Sequence, residues 1–388
     1  MATILLIGLD MQNADFHRRI RMFRQLRHEV AWAAYDRQRP GNALPPDVLG
    51  LPHCVLGKTF ERNYFQRVFA LFGGIVRLRR WQMATRLETQ IVYARNLDNL
   101  ALGSVIQFSN KAPVKFLYEV ADIQPAFLGN GLGTVLRMLE KFALRHTDIL
   151  ITTSPAFVRE YFVQRLGFSG KWFLLENKVY LQAEKSAARW CPDRVINQNR
   201  ERPIRIGIFG IFRCERSFQL IGELASAFSS KLKFVFRGYP NQLVKHKFDQ
   251  LLEKKEIEYH GPFKHPDDLS GIYGDVDLIW AFDFSSMEGN SKWLLTNRNY
   301  EAALFSVPQL ALKGTETGRF ITLNNLGWVV DEPVGTSLRE FFNAISISTL
   351  NKVSESIAKQ DRYRFRADSD FERFNVLLEG LLSGAEQL

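Results

Sequence analysis

At 388 residues, with 46% hydrophobic and 24% charged side chains, the chain is too long for one ordinary core and too apolar to be disordered, so two globular domains are expected. Cys54, Cys191 and Cys214 are too few and too scattered for a disulfide framework or a zinc site and suit a reducing compartment; the apolar run 4–8 is too short, and lacks the basic flank, for a signal peptide, and no apolar run reaches the ~18 residues of a spanning helix. The net charge of +10 is one-sided: residues 1–180 hold 24 Lys and Arg against 14 Asp and Glu, whereas residues 181–388 hold 27 of each, so the first half is the part that attracts an anionic partner such as a membrane surface, a phosphorylated lipid or a nucleic acid.

In chain order, "ATILLIG" reads as an apolar strand, "ADFHRRIRMFRQLRH" as a basic helix and "EVAWAAY" as a second strand. Strand, helix, strand at this spacing opens a βαβ unit, and wholly apolar strands imply a parallel sheet covered on both faces. "QIVYAR", "VKFLYEV" and "DILITTS" continue the strands, with helical stretches at 134–145 and 155–165. A polar, aperiodic stretch containing "CPDRVINQNRERP" reads as a linker over 181–203. The pattern then restarts with strands "IRIGIFG", "LKFVFRG", "IEYHG", "VDLIWAF" and "PQLALKG", interleaved with helices from "SFQLIGELASAF", 241–253 and "PDDLSGIYG". The short "GWVVDEP" follows, and an amphipathic helix over 371–382 closes the chain. The expected fold is α/β: two Rossmann-like, doubly wound parallel-sheet domains, at 1–180 and 204–350, with 351–388 packing back toward the first and a cleft for a nucleotide at the strand ends.

The segment "GNSKWLLTNRNYEAALFSVP", 289–308, begins polar and ends as a helix running into a proline. Asn290, Ser291, Lys292, Asn297, Arg298 and Glu301 crowd its early part, where backbone N–H groups are free and the helix dipole favours an anion. Such a segment reads as one half of an anion-binding cleft.

The second half resembles glycosyltransferases of the two-Rossmann-domain GT-B type, especially family 4. "FGIFRCERS" matches the strand-end glycine and basic loop that hold the donor pyrophosphate there, which implies roles for Gly210, Arg213 and Arg216. "YHGPFKHPDDLSGIYGDVDLIWA" matches a middle strand ending in a glycine, Gly261, and "EAALFSVP" places Glu301 and Pro308 in the register of the ribose-binding glutamate, with Ser306 in place of the usual glycine. "VYARNLD", "YEVADI", "TTSPAFVREYF", "LENK", "NSKWLLTNRNYE" and "GTETGRF" are similar to the glucosyltransferases that build succinoglycan-type bacterial exopolysaccharide repeats on a lipid carrier. The resemblance implies transfer of a hexose, glucose from UDP-glucose, to a polyprenyl-diphosphate-linked saccharide by a protein peripheral on the cytoplasmic face of the inner membrane. Family members with retention carry a second glutamate eight positions before the ribose-binding one; here Trp293 stands there, and β-linked products from α-linked donors imply inversion, which needs a general base. The rivals are a nucleotide-sugar 2-epimerase of the same architecture, disfavoured by the basic first half, and a non-catalytic GT-B scaffold.

For that base the expectation is Asp122, just past a buried strand at its carboxyl end, in a stretch resembling the strand-end motif of the xanthan glucuronosyltransferase; the plainer alternative is a cap or loop carboxylate, and Glu119 is the rival base. Arg213 and Arg216 offer permanent charge and bidentate contacts to a diphosphate that gains charge as the sugar leaves, against a solvated basic loop. Glu301 would accept from ribose hydroxyls, against a helix glutamate paired with Arg298. Arg298 and Lys292 would reach phosphate or sugar, Asn290 and Ser291 would contact donor or cap the helix, and Thr317 and Arg319 would face the phosphates. The seven histidines show no metal-ligand spacing, so no metal and no cofactor beyond the nucleotide sugar is expected. The stretch 60–82 interleaves aromatics with five arginines, which suits an anionic membrane interface as well as an ordinary helix-loop-helix with a solvated Arg face; without an RNA-binding signature, nucleic acid is not expected.

Overall fold

The computed structural model describes residues 1–37, 44–59, 64–107, 110, 112–180 and 202–384. They form two compact units, Met1–Leu175 with Asp370–Leu388, and Glu176–Ser369.

The first unit is built on seven parallel strands: β1 (Thr3–Gly8), β2 (Glu29–Asp36), β3 (His53–Lys58), β4 (Ile91–Arg95), β5 (Lys115–Val120), β6 (Ile149–Thr152) and β7 (Trp172–Leu174). Their order is β3-β2-β1-β4-β5-β6-β7, so the winding reverses between β1 and β4, where a doubly wound sheet opens a crevice at its carboxyl edge. Ile4, Leu5, Leu6 and Ile7 are all fully buried, because helices cover both faces of the sheet. Leu5 sits in register between Ala31 and Val92. Right-handed crossovers put the helices Tyr64–Thr85, Leu97–Gln107 and Leu132–Leu144 on one face and Ala14–Gln25 on the other. The final helix, Asp368–Ser383, docks on the sheet through Phe374, which meets Phe23, Tyr93 and Phe173. The Ala2 N–H donates to His28 Nδ1, which leaves His28 Nε2 to donate to Asn375.

The second unit holds six parallel strands, β8 (Ile204–Phe212), β9 (Leu232–Pro240), β10 (Ile257–Tyr259), β11 (Leu278–Trp280), β12 (Gln309–Leu312) and β13 (Gly327–Val330), in the order β10-β9-β8-β11-β12-β13. Its reversal lies between β8 and β11. Ile206 and Ile208 point into one apolar layer, while Phe209 enters the other with Tyr273, Ile279 and Tyr300. Both units are thus the Rossmann-like sheets expected.

Three details differ from expectation, and one expectation falls outside the described residues. The unit boundary falls at Glu176, because Val179 forms a parallel bridge with Arg366; the expected closing segment 351–388 is accordingly divided, with the helix Ile347–Ala358 in the second unit and residues from Asp370 in the first. The expected linker 181–203 lies outside the described residues apart from 202 and 203, where Arg202 forms a two-bond pair with Asp277. The stretch 289–308 is two helices, Asn290–Trp293 and Asn297–Leu304, separated by an extended Leu294 at φ −78°, ψ 153°. Within 60–82, residues 60–63 lie outside the described residues, and Tyr64–Thr85 is one helix running through Gly73 and Gly74. Among the described residues, no helix is long and apolar enough to cross a membrane.

Candidate functional site

In the second unit β8 does not stop at Gly210 but runs on to Phe212, paired with β9 throughout. Gly210 and Gly238 pair in that register at φ +100° and +135°. A side chain at Gly238 would place its Cβ 1.8 Å from the Gly210 carbonyl oxygen, so the approach of the strands requires glycine at 238, while at 210 the positive φ is what favours it. The space beside Gly210 is open, which leaves its backbone accessible at the carboxyl end of the sheet. Residues 213–214 are then the whole loop, since the helix Glu215–Ala227 begins at once, with Cys214 Sγ accepting from the Ser217 N–H. Arg213 is exposed. Arg216, one turn on, donates to Glu332 at 2.9 Å and lies 4.7 Å over the Phe284 ring, so its expected diphosphate contact competes with a carboxylate already in place.

The short helix Asn290–Trp293 follows Gly289 with no side-chain cap. Ser291, expected as that cap, is buried and accepts from the Ser286 N–H, which fastens the preceding loop instead. Asn290 is half-buried at the start of this turn and Lys292 is exposed in it. Trp293, at the position of the second glutamate of retaining relatives, is buried and offers no carboxylate. The chain restarts at Thr296, whose N–H and hydroxyl both donate to Asn299 Oδ1; Asn299 is itself locked to Gln309 by a reciprocal buried amide pair.

This second helix carries Arg298 and Glu301, and the structure separates them. Arg298 donates to the Phe209 carbonyl at 3.2 Å rather than to Glu301. Burial, and last the Arg213 charge, push the Arg298 guanidinium below its ordinary range against the pull of Tyr273, Asp283 and Glu301. Arg298, tied to the Phe209 carbonyl, and the exposed Arg213 in the loop after β8 both flank the bare backbone of Gly210, a place that an anion would stabilise. Glu301 is buried; it accepts from the Tyr273 hydroxyl at 2.7 Å and meets His265 Nε2 at 3.2 Å. Burial, then the Glu301 charge and hydrogen bond, hold Tyr273 well above its ordinary range, so it stays a protonated donor. Tyr273 also packs edge-on against Phe209, at 5.0 Å between centroids, and stacks on Phe305. The sequence did not reveal His265 and Tyr273 as partners of Glu301. The histidines show no metal spacing in the sequence, and the signal for His265 is its place shortly after β10, at the carboxyl end of the sheet.

Thr317 and Arg319 depart from expectation. The Thr317 hydroxyl donates to the Leu294 carbonyl at 3.2 Å and so secures the break between the two helices. Arg319 pairs with the buried Glu316 three residues earlier. Thr317 is thus tied to the break before Asn297, and Arg319 to the first turn of its own helix, Glu316–Leu323.

In the first unit, Asp122 is exposed two residues beyond β5, at the carboxyl end of the sheet. Glu119, the rival base, is a correction. It is 1% exposed, takes two bonds from Arg19 at 3.0 and 2.8 Å, and is paired with Arg95 at 2.8 Å. Burial pushes its carboxyl up, but the Arg19 and Arg95 charges and hydrogen bonds from Arg19 and Tyr93 outweigh that and hold it below the ordinary carboxylate range. A carboxylate so held has lost the basicity and the access that proton abstraction needs. Among the described residues, no group of His, Cys, Asp and Glu is arranged to hold a metal. A cavity of about 660 Å³ against the helix Glu215–Ala227, lined by residues such as Glu223, Lys247 and Arg339, includes none of the candidate residues.

No family model matches the chain. It is 31% identical over 314 residues to the succinoglycan biosynthesis protein ExoL of Rhizobium meliloti (strain 1021), covering 80% of this chain and 77% of that protein. Among solved structures it superposes on sucrose-phosphate synthase from Thermosynechococcus elongatus with a TM-score of 0.70 at 11% identity, over 99% of this chain and 100% of the other. It also superposes on Anabaena HepE in complex with UDP and glucose, with a TM-score of 0.64 at 12% identity over 98% of this chain and 100% of the other. The lipopolysaccharide outer core galactosyltransferase WaaB gives 0.61 at 12% identity, over 98% and 99% of the two chains.

Proposed function

The chain belongs to the glycosyltransferase family of the succinoglycan biosynthesis protein ExoL, with the GT-B fold, and from that premise we propose that it transfers a hexose, glucose from UDP-glucose, to a lipid-linked oligosaccharide of exopolysaccharide assembly. The observation that carries this reading is the cluster at the carboxyl edge of the second sheet: the bare backbone at Gly210, the cations Arg213 and Arg298 on either side of it, and the Glu301 carboxylate held by Tyr273 and His265. The cations would receive the diphosphate and neutralise the charge that grows as the glycosidic bond to it breaks. Glu301 would accept from the ribose hydroxyls, oriented by partners that occupy it from below. A UDP- and glucose-bound GT-B neighbour supports this class of donor.

Inversion would follow from Asp122 removing the proton of the acceptor hydroxyl as that oxygen attacks C1 from the face opposite the departing UDP. Buried Trp293 at the position of the second family glutamate supports a mechanism that does not use it. Arginines in place of acidic metal ligands support a reaction that needs no divalent ion. The test is transfer from a panel of UDP- and GDP-sugars to a lipid-extract acceptor, by wild type and Asp122→Asn, with and without EDTA. One UDP-hexose should enter the lipid fraction, EDTA should leave the rate unchanged, and Asp122→Asn should abolish transfer while UDP still binds. Absence of nucleotide-sugar binding by the wild type would overturn the reading.

A further inference from the structure

The helix Leu132–Leu144 is amphipathic the wrong way round. Its buried residues are Gly133, Glu140 and Leu144, while Leu132, Val135, Met138, Leu139 and Phe142 stand outward with 52% to 67% of their surface exposed. Their spacing of three, three, one and three puts them on one stripe of the helix. Five large apolar side chains in a row are not the scattered exposure normal for a soluble surface.

The fold holds the helix in this orientation. Glu140 is 3% exposed and accepts from the Tyr118 and Tyr161 hydroxyls, and Arg137 donates to the Phe127 and Gly129 carbonyls and the Thr134 hydroxyl. Rolling the helix to bury its stripe would strip Glu140 of both hydroxyl partners and expose the loop that Arg137 closes. The buried carboxylate and the outward stripe therefore go together.

The charge around the stripe selects its occupant. Glu140 is the helix's one acid and it faces inward, whereas Lys141 and Arg145 are exposed. On the same face of the sheet, the helix Tyr64–Thr85 has no acidic residue and exposes Phe69, Phe72, Val76 and Met83 beside Arg79 and Arg80. An apolar stripe flanked on its own helix by the exposed cations Lys141 and Arg145 matches an anionic lipid surface, where the side chains enter the acyl boundary and the cations meet headgroups. We propose that the Leu132–Leu144 face is the seat of this protein on an anionic bilayer, with the 64–85 helix as a second contact. This adds to the reading of a lipid-linked acceptor the surface that would bring the enzyme to it, but its test does not depend on that reading.

The experiment is sedimentation of the full chain with phosphatidylglycerol/phosphatidylcholine vesicles and with phosphatidylcholine alone, in low and high salt. It compares wild type, the triple variant Val135→Ser, Met138→Ser, Phe142→Ser, and the pair Lys141→Glu, Arg145→Glu. Because all five side chains are exposed, the unfolding midpoint should hold in both variants. Wild type should bind the anionic vesicles, the triple variant roughly 100-fold more weakly, and the charge pair roughly tenfold more weakly with little remaining salt dependence. Wild type that stays in the supernatant, or a triple variant that binds as well as wild type, overturns the proposal. So does a wild-type dimer that the triple substitution turns into a monomer, which would make the stripe a contact between copies. UDP binding measured on the same samples separates the two readings: vesicle binding without UDP binding sinks the proposed donor chemistry alone, and the converse sinks this surface alone.

Discussion

Replacing Glu119 by Gln separates a structural carboxylate from a catalytic one. The Arg19 and Glu119 side chains are 2% and 0% exposed, and Arg95 is 14% exposed, so the substitution leaves two cations with little solvent and without the carboxylate they share. Breaking a buried pair from one side costs about 3–5 kcal/mol. For a unit of this size each kcal/mol shifts the midpoint by about 2–4 °C, so Glu119→Gln should melt the first unit about 6–20 °C below wild type. Thermal unfolding followed by circular dichroism, with transfer assayed well below the transition, gives both numbers. The sign with pH is fixed by the depressed folded pKa: the pair contributes its stability above the unfolded carboxyl value of about 4.3 and loses it as pH falls through the lower folded value. The gap between wild type and variant should therefore be full at pH 7 and close in strong acid. A Glu119→Gln protein that melts within about 2 °C of wild type yet has lost transfer would refute this reasoning and restore Glu119 as the base.

Three further outcomes are expected. Glu301→Gln should weaken UDP binding by about 10- to 100-fold, the loss of charge-assisted hydrogen bonds worth about 1.5–3 kcal/mol, measured by calorimetry; unchanged affinity would remove Glu301 from the nucleotide site. Arg213→Ala should lower donor affinity by a similar factor, whereas Arg216→Ala, whose exposed pair with Glu332 is worth about 0–1 kcal/mol, should change stability little and donor affinity less than Arg213→Ala does; the reverse order would show that Arg216 leaves Glu332 for the phosphates. Glu140 has its folded pKa raised by burial against the pull of the Tyr118 and Tyr161 hydroxyls, so the folded state binds its proton more tightly than the unfolded one. Stability should then decline as pH rises through the ordinary carboxylate range toward the folded value, and Glu140→Gln should gain on wild type in melting temperature over the same interval; a gap independent of pH would contradict the raised value.

Much of the architecture was written locally. Uninterrupted runs such as "TILLIG" and "IRIGIFG" leave a strand no polar face, so they demand a sheet covered on both sides, and their alternation with helical stretches demands parallel pairing. A glycine at the end of the "IRIGIFG" strand and a helix carrying Glu301 were legible because backbone conformation and helical register are properties of a few neighbouring residues. What the sequence could not carry were the partners brought from far along the chain. Glu119 reads as a strand-end carboxylate, and only folding brings Arg19 from the first helix, 100 residues earlier, onto it and turns a candidate base into a buried pair. Tyr273, from the helix Leu269–Gly274, and His265, from the loop after β10, reach Glu301 in the same way, and Glu332 reaches Arg216 across 116 residues. The stripe on Leu132–Leu144 shows the same limit from the other side. Periodicity marks an apolar face but is blind to which way it points, and here two distant tyrosines holding Glu140 decide that it points outward. The sequence by itself determined the elements, because hydrogen bonding and side-chain spacing act locally; only the tertiary structure decided which charges are used up and which surfaces stay open, because pairing and burial depend on what is brought from elsewhere.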